Sequence, residues 1–414
     1  MTIRRRDRGL SGDDMGCDGS WDMTADLLER LREVPGAAPV FDALADLPGV
    51  WVVGGAVRDT LLGRDPRDLD LVVEGDAAAA AQRLGDGAVV HKRFGTANAT
   101  GAVNVAAARR ETYAHPGALP DVELGASIAE DLARRDFSVN AIAVRLADGE
   151  LEAVPGALED LSQHRLRALH ERSFLDDPTR LLRLIRYVSR LRFPIEETTR
   201  EWAFAAVEGG ALDTVTPPRL GAELRLLLGE PEPAAICGLE ALGIGPRLLP
   251  GFSVDPDLAE RALRLTPHDA APELVVLASC LLDASAPALA ARLDSFEFPA
   301  RDRDVTVAAA THARALAPVL GGTDEPSAIW TLLRREAPET VALAGALGAP
   351  DAARQWLEKL RHAKLAIGGD DLLAAGLEGP AVGRALEAAT AAMLDGEAPD
   401  RERQLAAALR ASPQ

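Results

Sequence analysis

Two aspartates set two residues apart, just downstream of a glycine pair, constrain this chain more than any other feature. The segment Trp51-Val52-Val53-Gly54-Gly55-Ala56-Val57-Arg58-Asp59 is followed by Asp68-Leu69-Asp70-Leu71-Val72-Val73. The order reads as strand, glycine turn, short helix and second strand. A strand repeats every two residues, so Asp68 and Asp70 are expected on one face. Like charges held that close repel, and a site that keeps both calls for a cation. At the turn, Gly54 and Gly55 carry no Cβ, so backbone N–H groups can approach an anion, and the helix start adds partial positive charge. Alone, a glycine pair is a turn and a D-x-D pair is a solvated strand end. In this order, one short helix apart, they are the equipment of nucleotidyl transfer.

The chain of 414 residues is long enough for two to four folding units. The segment 1–22 is polar and glycine-rich, lacks the apolar core of a secretion signal, and is expected to be a disordered extension. No apolar run approaches the roughly 20 residues needed to cross a bilayer. Residues 23–153 alternate strand and helix signals and are expected to form an α/β head. Its strands are expected at 50–53, 69–73, 88–91, 102–106, 122–124 and 141–146, and its helices at 25–32, 56–62, 77–84 and 128–134. The polar stretch between Arg109 and Glu123, with Pro116, Gly117 and Pro120, reads as a mobile loop. From 154 onward the strand signal vanishes. Residues 154–229 read as a helical neck and 230–414 as an Ala/Leu-rich helical body and tail. Three widely spaced cysteines, Cys17, Cys237 and Cys280, fit a reducing cytosol.

A net charge of −19 weighs against a general nucleic-acid coat. Its distribution matters more. Arg165, Arg167, Arg172, Arg180, Arg183, Arg186, Arg190 and Arg192 cluster against only Glu171, Asp176 and Asp177. Such a basic face can engage phosphate, or can equally be a salt-bridged surface helix.

Two further clusters carry chemistry. In Arg134-Arg135-Asp136-Phe137-Ser138-Val139-Asn140-Ala141, an arginine pair followed by Asp and Asn could clamp a triphosphate and order a ribose, or could simply end a helix. In Asp176-Asp177-Pro178-Thr179-Arg180-Leu181-Leu182-Arg183-Leu184-Ile185-Arg186, Asp177 and Arg180 are three apart and expected on one helical face. An ordinary ion pair would explain them. So would base reading. A carboxylate accepts from the exocyclic amine of cytosine or adenine, while a guanidinium donates to cytosine N3 or adenine N1. Uracil and guanine reverse both groups, so one pair could accept C and A and reject U and G.

With these clusters in this order, the chain resembles the class II tRNA nucleotidyltransferases and the related bacterial poly(A) polymerases. The family's G-G-x-V-R-D with a following D-x-D is met by Gly54 to Asp59 with Asp68 and Asp70. Its R-R-D-[FL]-[TS]-x-N-A is met by Arg134 to Ala141, and its [ED]-D-x-x-R-x-x-R-x-x-R by Asp176, Asp177, Arg180, Arg183 and Arg186. A later family segment resembles Pro218 to Leu228, with Glu223, and the tail resembles Gly368 to Leu372 with Gly383. The resemblance implies a polymerase β-like head with a mixed sheet, then an elongated all-α neck, body and tail. It implies template-independent addition of CMP and AMP from CTP and ATP to the 3′ end of tRNA, in the cytoplasm, with Mg²⁺. Gly54, Gly55 and Arg58 would then contact the triphosphate, and Asp68 and Asp70 would hold the metal. Arg135, Asp136 and Asn140, with Arg183 and Arg186, would bind phosphates and ribose. Asp177 and Arg180 would read the base.

Departures and alternatives accompany it. Asn104 stands on the later head strand where relatives often carry a third acidic group, which keeps open a catalytically weakened RNA-binding relative. Ser138 and Asp176 are mild changes from Thr and Glu. Val90-His91-Lys92-Arg93-Phe94-Gly95-Thr96 only partly resembles the basic-aromatic stretch of the poly(A) polymerases, which favours CCA addition over tailing. The stretch from Arg109 to Pro120 is complete, which fits CCA or A addition better than CC addition alone. A small-molecule nucleotidyltransferase would need no long helical body. His268-Asp269 is the only His-Asp dipeptide, and no phosphohydrolase activity is expected of it.

Overall fold

The computed structural model describes residues 23–66, 68–75, 77–84, 89–91, 96–98, 103–230 and 234–411. The expected extension 1–22 and the Lys92–Gly95 part of the basic-aromatic stretch lie outside them. The chain divides into two compact units, one of residues up to 114 with 119–170, the other of 115–118 with 171 onward.

The first unit is built on a seven-stranded sheet, with strands β1 (Val50–Val53), β2 (Leu69–Val73), β3 (Val89–His91), β4 (Thr96–Asn98), β5 (Val103–Ala107), β8 (Ile142–Arg145) and β9 (Leu151–Ala153), while β6 (Arg109–Thr112) and β7 (Asp121–Leu124) form a separate hairpin. The order across the large sheet is β3-β4-β5-β2-β1-β8-β9. Only β2 and β5 run parallel, so the sheet is mixed, as expected. The helices here are α1 (Met23–Arg32), α2 (Ala37–Leu44), α3 (Gly55–Leu61), α4 (Ala77–Arg83), α5 (Ile128–Ala133) and α6 (Ala157–Ser162). Strand β1 is buried along its whole length because β2 and β8 flank it and helices cover it. Trp51, Val53 and Val72 on one face pack against Ile128 and Leu132 of α5. A capping box between Ser127 and Glu130 starts that helix.

The segment read as a mobile loop corrects the sequence reading. Its two ends pair antiparallel, Arg109 opposite Leu124 and Thr112 opposite Asp121. The strand Arg-Arg-Glu-Thr has no apolar face, so hydrophobic alternation cannot reveal it. Charge supplies the support instead: Arg109 and Arg134 bind Glu111, and Arg110 binds Glu123 and Glu130. Strands β4 and β9 and helix α2 were also not expected. Residues 154–170 pack with the first unit: Val154 N–H donates to Ala141 O, and Ser138 Oγ donates to Asp160 Oδ2 at 2.7 Å.

Among the described residues the second unit is helical. It opens with α7 (Ser173–Asp176), α8 (Arg180–Leu191), α9 (Glu197–Glu208) and α10 (Pro217–Leu228). Later helices start repeatedly on proline, at Pro256, Pro272, Pro326, Pro338, Pro350 and Pro380, where a missing N–H costs nothing. Leu320, Ile329, Leu333, Val341, Trp356 and Leu357 centre one core cluster of this unit. His268-Asp269 lies in the turn before Pro272–Ser279, with Asp269 paired to Arg361 at 2.6 Å.

Candidate active site

The bend and the acidic pair meet at the edge of β1. Antiparallel register sets Asp70 opposite Val53, the residue immediately before Gly54. Leu69 and Leu71 point into the core while Asp68 and Asp70 are exposed, so the two carboxylates share one face as period two requires. Gly54 takes φ 71 and ψ −126, a conformation open to glycine alone. A Cβ there would stand 2.8 Å from Arg135 Nη1, the movable end of a long side chain, so the backbone conformation is the stronger demand for glycine.

Asp70 is held above the ordinary carboxylate range, chiefly by desolvation and further by Asp68; the amide of Asn104 and the charge of Arg135 oppose this. Its carboxylate keeps solvent access although protein surrounds much of it. Parallel register places Asn104 beside Asp70, and Asn104 Nδ2 donates to Asp70 Oδ1 at 3.1 Å. Asn104 therefore stands where a third acidic group would, acting as a donor. Two like charges on one face, one of them reluctant to ionise, fit a divalent cation. Among the described residues no cluster of three or more His, Cys, Asp or Glu side chains could hold a metal.

Behind the bend lies a buried polar network. Arg58, 2% exposed, forks onto Asp59 at 2.8 and 2.9 Å and donates through Nη1 to Asn140 Oδ1 at 2.5 Å. Asn140 Nδ2 in turn donates to Asp136 Oδ1, which also accepts the Phe137 N–H. Arg58, Asp136 and Asn140 are thus brought together, but as a brace linking α3 to the Arg134–Ala141 segment. Arg135 is anchored by Asp131 at 3.0 Å and reaches Asn140 O at 3.4 Å; its Nε is buried without a partner among the described residues. Asp131, fully buried, also binds Arg134 and accepts the Arg109 N–H. Sequence reading missed it, though its spacing of three and four from the arginine pair was the available signal.

In the second unit, Asp177 and Arg180 do not form the expected pair on one helical face. Asp177 is extended, φ −132 and ψ 91, and α8 begins at Arg180. The cause is Pro178, which disfavours helical backbone in the residue before it. Three donors converge on Asp177 Oδ1: Thr179 N at 3.1 Å, Thr179 Oγ1 at 2.7 Å and Arg219 Nη2 at 2.9 Å. Among the described residues nothing bonds Oδ2. Arg180, 6% exposed, donates to Ser173 Oγ at 2.8 Å. Arg183 and Arg186 share Glu223 of α10, at 3.4 and 3.1 Å. The salt-bridged reading of this helix is realised at those positions. Arg219, which reaches Asp177 from 42 residues away, carried no local sequence signal.

Residues 50–167 match the poly A polymerase head domain family. A CC-adding tRNA nucleotidyltransferase of Deinococcus radiodurans is 39% identical over 262 residues, 60% of this chain and 68% of that protein. The chain belongs to the tRNA nucleotidyltransferase and poly(A) polymerase family. An A-adding tRNA nucleotidyltransferase of Halalkalibacterium halodurans is 43% identical over 214 residues, which is 48% of this chain and only 50% of that relative's length. A structure of the Thermotoga maritima CCA-adding enzyme complexed with tRNA aligns with a TM-score of 0.77 at 29% identity, covering 94% of this chain and 98% of that one. The family implies a divalent metal at the nucleotidyltransferase head. Among the described residues no helix is long and apolar enough to cross a membrane.

Proposed function

We propose that this protein adds CMP and AMP from CTP and ATP to the 3′ end of tRNA in the cytoplasm, releasing pyrophosphate. The observation that carries the reading is the acidic pair beside the glycine bend, Asp70 in register with Val53. The tRNA-bound relative of similar fold supports the acceptor, and relatives solved with ATP and with CTP support the donors. Asp68 and Asp70 would hold Mg²⁺, which when bound lowers the pKa of the attacking hydroxyl and neutralises phosphate charge. The backbone at Gly54 and Gly55 offers N–H groups to the triphosphate, and Arg135 lies beside it. Arg58, Asp136 and Asn140 hold the bend and the arginine segment in place. Asp177 and Arg180 select the base, with Arg183 and Arg186 offered to phosphate. Asn104 cannot act as a base, and this reading asks for none, because a bound cation lowers the pKa of the attacking hydroxyl.

A second reading is addition of only part of the CCA end, favoured because both A-adding and CC-adding enzymes are similar to this chain. One experiment tests both. Transcripts of tRNA truncated before each terminal nucleotide are incubated with CTP or ATP, for wild type and Asp70→Ala. Incorporation at all three positions supports CCA addition, and at one or two a partial activity. Full turnover by Asp70→Ala would refute the mechanism.

A further inference from the structure

We propose that Asn104 is a positioning residue for Asp70. Its amide occupies one carboxylate oxygen, so that the acidic pair stands ready without a cation and takes its divalent ion together with the phosphates of the nucleotide. The inference rests on Asp68 and Asp70 being the metal-holding pair. Strand β5 runs parallel to β2 with Asn104 directly beside Asp70. Both side chains lie on the exposed face, while Leu69, Leu71, Val103 and Val105 are buried on the other. The strand register therefore fixes where the amide stands, and Asn104 Nδ2 donates to Asp70 Oδ1 at 3.1 Å. Only the NH₂ end can face the carboxylate, since the carbonyl would meet it as a second acceptor.

A carboxylate at 104 would bring a third negative charge instead of a donor. The difference acts on the empty site first. Asp68 and Asp70 repel, and the Asn104 amide and the charge of Arg135 both offset this at Asp70, so the pair needs no cation to hold its place. The difference acts next on cation capture. Two carboxylates, one with an oxygen already engaged, attract a divalent ion less than three would. Mg²⁺ sheds its waters reluctantly and is commonly held by one or two carboxylates together with substrate phosphates. A triphosphate brings the negative charge that position 104 lacks. The bare protein is thus a poor cation trap, and ion and nucleotide are taken up as a unit.

The test reads cation binding directly, on the full chain without tRNA or nucleotide. Mn²⁺ binding is followed by loss of the free-ion electron paramagnetic resonance signal. Melting in EDTA is recorded beside it for wild type, Asn104→Asp, Asn104→Ala and the double variant Asn104→Asp/Asp70→Ala. Asparagine and aspartate are nearly the same size, so Asn104→Asp exchanges a donor for a charge and little else. We expect it to bind Mn²⁺ about tenfold more tightly than wild type, to melt lower in EDTA, and to regain the loss when Mn²⁺ is added. Asn104→Ala should keep the wild-type Mn²⁺ affinity, because the amide is not a ligand. It should still lose about tenfold in kcat for CMP incorporation, because Asp70 is no longer held in one orientation. Equal Mn²⁺ affinity in wild type and Asn104→Asp overturns the proposal, and so does an unchanged kcat in Asn104→Ala. A tenfold weaker Mn²⁺ affinity in Asn104→Ala also overturns it, by making the amide itself a ligand. Tight binding that survives in the double variant overturns the assignment of Asp70 to the metal. Asn104→Ala keeps the inference testable should Asn104→Asp not fold.

Discussion

Replacing Asp177 by asparagine should redirect base choice, and the direction follows from which oxygen is already in use. Thr179 N, Thr179 Oγ1 and Arg219 all donate to Oδ1. An asparagine there must keep its carbonyl on that side, since turning the amide would aim N–H groups at three donors. Its NH₂ therefore takes the place of Oδ2 and presents donors to the base. For cytosine, a charge-assisted bond worth about 1.5–3 kcal/mol is lost, so kcat/KM for CTP should fall roughly 10- to 150-fold. For uracil, a neutral bond to O4 worth about 1 kcal/mol is gained, roughly a fivefold rise for UTP. The CTP/UTP ratio should drop by about two orders of magnitude. Full reversal is not expected, because Arg180 still opposes the N3–H of uracil. Single-nucleotide incorporation under kcat/KM conditions reads the effect. A ratio within about threefold of wild type, in a variant that melts normally, would refute the assignment.

Three other variants follow from the first unit. Asp70→Asn should abolish incorporation yet raise the melting temperature at neutral pH. A carboxyl with a raised folded-state pKa costs stability once pH climbs through its titration, and the neutral amide escapes that cost while still accepting from Asn104. A lower melting temperature for Asp70→Asn than for wild type in metal-free buffer at pH 7 would count against this. Gly54→Ala should lose most activity, because the new Cβ would meet Arg135 Nη1 at 2.8 Å in a backbone conformation that alanine resists; near-normal turnover would show that Arg135 can yield. Asp160→Ala should destabilise the fold by about 2–4 kcal/mol, toward the low end because Arg165 and Arg167 reach solvent. Burial pushes the Asp160 carboxyl up, but Arg167, Ser138 and Arg165 outweigh it and hold it below the ordinary range. Its contribution is therefore present at neutral pH and lost only as pH falls through that lowered pKa. Urea melts of both forms at pH 7 should differ by that amount, and the gap should close in strong acid.

What the sequence reveals divides along the range of the interaction. Val50–Val53, the glycine bend and Asp68 with Asp70 were legible because a strand's period of two decides burial locally, and the register then brings Asp70 to the bend. Strand β6 was not, because Arg109 to Thr112 is stabilised by ion pairs to Glu123, Glu130 and Arg134 rather than by an apolar face. Helix α2 hid for another reason: it follows Gly36 at φ 87 with no capping side chain, and so lacks a start signal. At the site, residue types were legible and commitments were not. Nothing near position 177 discloses that Arg219 will bind it, and spacing alone could not show that Pro178 removes Asp177 from the helix.

Composition and motif pull in opposite directions here, and the ion pairs reconcile them. A chain of net charge −19 keeps an array of arginines in place by pairing them internally: Arg58 with Asp59, Arg135 with Asp131, Arg183 and Arg186 with Glu223. A nucleotide phosphate approaching any of them must exchange for a carboxylate rather than meet a bare cation. Two atoms stand apart. Among the described residues the Nε of Arg135 and the Nε of Arg186 are buried with no partner, and such a donor left unsatisfied costs about 1–3 kcal/mol. An acceptor oxygen arriving there recovers that cost without displacing any protein carboxylate. Among the arginines expected to bind phosphate, Arg135 and Arg186 are therefore the better placed to gain from it. Arg58, saturated by Asp59 and Asn140, serves instead to hold the bend.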